Sequence, residues 1–109
     1  MIYDVEVRAD KIEEEMELLN ELNKEMDIRE QYRERAIKFA KDWGYENPSN
    51  HILDIMVSIM CTRDETSFAG GGFVEAVVDN NLYLSMSRAD SECRDNIFLL
   101  SMCSKNCYL

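Results

Sequence analysis

The residues of this chain that could carry chemistry are few and scattered. The single histidine, His51, lies between Ser49 and Asp54, three residue types that make a hydrolase when a base abuts a hydroxyl and an acid orients the base. Neither a nucleophile elbow nor an oxyanion-hole motif accompanies them. His51 therefore reads as a surface residue in the first turn of a helix, and no catalytic residue is assigned. Cys61, Cys93, Cys103 and Cys107 could join His51 around zinc, but such sites draw on close pairs such as C-x-x-C. None occurs, and the spacing of Cys103 and Cys107 is that of one helical face. Neither a metal nor a cofactor is expected.

A second constellation surrounds Gly70, Gly71 and Gly72, which run straight into the apolar segment Phe73-Val74-Glu75-Ala76-Val77-Val78. Consecutive glycines cost backbone entropy, so they mark positive φ or close approach to another group. A glycine loop that opens onto a helix N-terminus can also hold a phosphate, because free amides and the helix dipole favour an anion there. No P-loop Lys or Ser/Thr follows Gly72, and Glu75 and Asp79 bring negative charge nearby. A structural turn is the leading reading. Its rival is a small-molecule or nucleotide-signal pocket with Arg63 and Arg88 as cations and Asn80 and Asn81 as neutral partners.

Charge supplies the third constellation. The chain has 22 acidic and 12 basic residues, a net charge of −10, which repels nucleic acid and anionic membranes. Residues 1–30 hold eleven acids and four bases, whereas residues 31–45 hold four bases and two acids. Glu13, Glu14, Glu17, Glu21 and Glu25 belong on the solvent side of one helix. Glu17, Glu21 and Glu25 follow at one-turn intervals of roughly 5–6 Å, near the phosphate spacing of a nucleic-acid strand. Such a face suits a basic protein surface, for instance a nucleic-acid-binding groove. A face that is merely solvated is the plainer alternative.

These residues must be positioned by helices. Asp10 with Glu13, and Asp27 with Glu30, are two capping-box signals. The first opens a helix whose apolar stripe is Ile12, Met16, Leu19, Leu22 and Met26. The second opens a helix over about 28–43, closed by Gly44. Residues 2–7 read as a short extended arm or strand. Residues 45–50 hold the only proline and form a loop. A third, central helix follows with Ile52, Ile55, Met56, Ile59 and Met60 at helical intervals, capped by Asn47 or Ser49. Residues 63–72 form the main irregular segment. A fourth helix carries Phe73 to Leu82, with Asn80-Asn81 near its end, and a last helix starts at Asp90 or Ser91. The expected fold is therefore all-α: one domain, a compact bundle of about five helices. No N-terminal apolar signal and no run of about 18 apolar residues is present, so a cytoplasmic protein with reduced thiols and no membrane contact is expected.

Gly71-Gly72-Phe73-Val74-Glu75-Ala76, then Asn80-Asn81-Leu82, then Arg88-Ala89-Asp90 resemble segments of small uncharacterised phage and prophage proteins. The resemblance covers about twenty residues and implies a phage origin, with action in a host cell; it carries no catalytic role. A small, acidic, all-helical phage protein is expected to bind and inhibit a host protein, as anti-CRISPR and anti-restriction proteins do. The sequestering pocket at Gly70 to Asn81 is one alternative, and a structural protein that oligomerises through its helices is another.

Overall fold

The first helix runs on through both of the places where the sequence offers it a start. The computed structural model describes the backbone of residues 2–66 and 69–109, and the side chains of these residues apart from 2–14 and 20–26. Within it α1 spans Ile2–Asp42 without a break. The extended arm expected over residues 2–7 is helical instead, and the two helices expected on either side of Asp27 are one. The reason is that no Gly or Pro occurs before Gly44, and an Asp inside a helix costs only a few tenths of a kcal/mol, too little to interrupt it. Gly44 does stop the helix. It adopts φ +88, its N–H donates to Lys41 O at 3.0 Å, and the next N–H, of Tyr45, donates to Ala40 O at 2.8 Å. That pair of bonds is a Schellman motif, which only the left-handed conformation allows.

The remaining helices are short, and three of them carry a side-chain N-cap. Ser49 caps α2 (Asn50–Asp64) by accepting from Ile52 N. α3 covers Gly72–Val78 and ends in a second Schellman pair, Asn80 N to Val77 O and Asn81 N to Ala76 O, with Asn80 at φ 60. Asn81 then caps α4 (Leu82–Arg88), and Asp90 caps α5 (Ser91–Asp95). The single last helix expected from Asp90 is divided at Asn96, where φ is −114 and α6 (Ile97–Asn106) begins. No strand occurs among the described residues. The fold is all-α.

α2 is the centre of the packing, lying against α1, α3 and α6. Its Ile52, Met56, Ile59 and Met60 are buried with Tyr32, Phe39, Val74, Val77, Leu99 and Leu100. Each such side chain contributes about 1.5–3 kcal/mol by leaving water. Among the described side chains of α1, only those of its second half take part. Its buried residues among those described are Tyr32, Ala36, Phe39 and Ala40, whereas Met16 and Leu19, expected in the core stripe, are 59% and 57% exposed. Ile12, Leu22 and Met26 of that stripe lie outside the described side chains. At 1.5 Å per residue, the 41 residues of α1 account for most of the 64 Å long axis of the molecule.

Candidate functional site

The acidic face sits on the half of α1 that stands away from the bundle. Glu15 and Glu17 are exposed, and so are Met16, Leu18 and Leu19 between and beside them. Glu13, Glu14, Glu21 and Glu25 share that helix, with side chains outside those described. The projecting half thus offers apolar side chains and carboxylates together, which a merely solvated face does not need. Closer to the bundle, Arg29, Glu30, Arg33, Asp54 and Val57 line an open depression of about 390 Å³. Arg33 spans it, donating to Asp54 Oδ1 at 2.6 Å and to Asn50 Oδ1 at 2.8 Å.

The residues of the expected ligand pocket are not brought to one place. Gly70 is pressed against α2: its N–H donates to Thr62 Oγ1 at 2.8 Å, and a Cβ there would stand 2.6 Å from Ser58 Oγ and from Val74 Cγ1. Gly71 precedes α3 with an ordinary φ of −69 and open space around it. Gly72 meets Arg88, whose Nη1 donates to its carbonyl at 3.1 Å and so ties the start of α3 to the end of α4. Arg63 is engaged at the end of α6. It forks onto Asp64 at 2.7 and 2.9 Å, donates to the carbonyls of Cys103 and Ser104, and lies over the Tyr108 ring at 4.0 Å. Asn80 and Asn81 are engaged in ending α3 and starting α4. The cavity beside them, lined by Val77, Asn80, Leu82, Ser85, Ile97 and Ser101, holds about 40 Å³. Ligand pockets hold roughly 300–1,000 Å³, so this one has room for little more than water.

One cluster joins residues that sequence reasoning left apart. The first turns of α2 and α5 abut, and His51 Nε2 donates to Asp90 Oδ2 at 2.8 Å while Asp90 Oδ1 accepts from Cys93 N at 2.7 Å. Cys93 Sγ lies 3.9 Å from His51 Nε2, and next to them the Ser49 hydroxyl donates to Glu92. The Asp90 hydrogen bond raises His51 above its ordinary pKa. Asp90 is lowered, first by the Cys93 N–H and then by His51. Burial, with Asp90 beside it, pushes the Cys93 thiol up to about 12, so the sulfur stays protonated and is no nucleophile at neutral pH. His51, Asp90 and Cys93 offer ligand atoms within 4.8 Å of one another, close enough to share one ion. Helix capping and the His51–Asp90 pair already account for the same contacts. The partners stand 39 and 42 residues apart in sequence; the one local signal was the cap at Asp90.

A further knot fastens the C-terminus. Arg35 Nε donates to Tyr108 O at 2.8 Å, and Arg63 holds the last carbonyls of α6, where a cation complements the helix dipole. Cys107 is held below the usual thiol range, first by its hydrogen bond with Cys103 and then by Arg35 and Arg63. All four cysteines are free and buried.

No protein-family model, curated protein or solved structure matches this chain. No helix among the described residues is long and apolar enough to cross a membrane.

Proposed function

We propose that this protein is a non-enzymatic inhibitor of phage type that binds a host protein, a nucleic-acid-binding defence factor, through the projecting half of α1. The observation that supports it is the exposure of Met16, Leu18 and Leu19 beside Glu15 and Glu17 on a helix that has left its own bundle. Carboxylates steer such a helix toward a basic groove, and apolar side chains supply contact area once it is there. The phage setting rests on the resemblance of residues 71–90. The net charge of −10 fits a basic partner and opposes direct binding to nucleic acid. A nucleotide-sequestering pocket has less support, because Arg63 is engaged elsewhere and the cavity near Asn80 is small.

Capture from host lysate at low and high salt tests the proposal. A nucleic-acid-binding protein should be retained at low salt, released as salt screens the attraction, and displaced by added DNA. The triple variant Glu17→Lys, Glu21→Lys, Glu25→Lys should lose it. Undiminished capture by that variant would refute the acidic-face reading, and so would the absence of any captured protein.

A further inference from the structure

The apolar positions of the projecting half of α1 repeat every seven residues. With Met16 as an a position, the a series is Ile2, Ala9, Met16 and Asn23, and the d series is Val5, Ile12, Leu19 and Met26. Seven of these eight are apolar over four consecutive heptads. A strict 3.5-residue period belongs to a helix that winds around another helix, whereas a helix lying on a globular core follows 3.6. The next positions in the series are Glu30 and Arg33, and Arg33 is paired with Asp54. Tyr32, Ala36 and Phe39, which face the bundle, fall at c, g and c. The heptad seam therefore stops where the intramolecular core begins.

We infer that the arm formed by residues 2–26 of α1 pairs with the same arm of a second copy of this chain, as a parallel, in-register, two-stranded coiled coil. Three observations select that occupant. Met16 and Leu19, the a and d residues whose side chains are described, are more than half exposed in the single chain, and an isolated helical arm draws little stability from propensity alone. Asn23 occupies one a position, where an amide is satisfied by its own counterpart; parallel, in-register pairing alone sets the two Asn23 residues across from each other, and a single such Asn specifies two strands. Arg8 at g and Glu13 at the following e make an opposite-charge pair between chains in that same register. Glu17, Glu21 and Glu25 fall at b, f and c, and Leu18 at c, all off the seam, so the dimer keeps its acidic rows and Leu18 for a host protein, while Met16 and Leu19 are taken up by the seam.

Sedimentation equilibrium on the full chain tests this. The expected mass is about twice the 12.7 kDa of one chain, with dimerisation strengthened by salt, which screens the repulsion between two acidic arms. Met16→Glu combined with Leu19→Glu should weaken the dimer at least tenfold while the bundle still melts cooperatively. Leu19→Cys should yield an oxidised, covalent dimer that the wild type does not form. A single-chain mass at every concentration up to the millimolar range, or a dimer that survives the double Glu variant, would overturn the inference. A dimer that Leu19→Cys fails to cross-link would overturn the parallel register.

Discussion

Single residues decide whether the glycine run is a turn or a site. Among Gly70, Gly71 and Gly72 none takes positive φ, which among the described glycines is confined to Gly44; what Gly70 needs is room. Gly70→Ala should cost about 1–3 kcal/mol, as overpacking does, because Val74 Cβ stands 2.7 Å from the added carbon and cannot swing aside. Gly71→Ala should stay within about 0.5 kcal/mol of the wild type. Urea unfolding of the two variants separates these outcomes. The His51–Asp90 pair gives a second prediction at this scale. A raised histidine stabilises fully below its unfolded value, 6.5, and that contribution is lost as pH climbs through the folded value. A lowered aspartate stabilises above its unfolded value, 3.8, and that contribution is lost as pH falls through the folded one. The difference in Tm between wild type and His51→Ala should thus be greatest between pH 3.8 and 6.5 and shrink on the alkaline side. A difference that stays constant from pH 5 to 9 would remove His51 from the account.

At the scale of elements, the two halves of α1 differ. Its second half contributes Tyr32, Ala36, Phe39 and Ala40 to the core, and its first half contributes no buried residue among those described. A chain beginning at residue 27 should therefore keep a cooperative thermal transition by circular dichroism, with its Tm within a few degrees of the full protein at low concentration. Met56→Ala, in the centre of α2, should instead cost about 2–5 kcal/mol, since the surrounding side chains cannot fill the cavity. Much of this layer could be read in the sequence. Ser49 and Asp90 cap where their types and spacing predict, and Gly44 ends α1 as the C-terminal stop, whereas Asn81, expected near the end of the fourth helix, instead opens α4, a separate helix. The misreadings share one cause: Asp10 and Asp27 are capping residues by type, but a cap forms only where the chain leaves the helix, and no Gly or Pro makes it leave. Residues 2–7 and the break at Asn96 likewise turn on energy differences too small for a local pattern to settle.

For the whole molecule, salt acts in opposite directions on the two associations proposed. A complex between the acidic arm and a basic groove loosens as ionic strength rises, whereas pairing of two acidic arms tightens. Titrating salt while following mass and host-protein capture separately would distinguish them. Loss of both at high salt would count against the coiled coil, and persistence of both against the charged groove. The acidic row was legible because its residues follow one another along one helix. The cluster of His51, Asp90 and Cys93 was not, because it forms only when α5 is laid against the start of α2.

The sequence by itself determined the all-α class, several helix ends and the concentration of charge in the first thirty residues, because caps, periodicity and charge act over a few residues at a time. The tertiary structure alone decided that α1 leaves the bundle halfway along, that Arg63 is engaged at the end of α6, and that Gly70 is a point of contact with α2. Those outcomes depend on which faces meet, and α2, with 15 residues, is too short to lie along all 41 residues of α1.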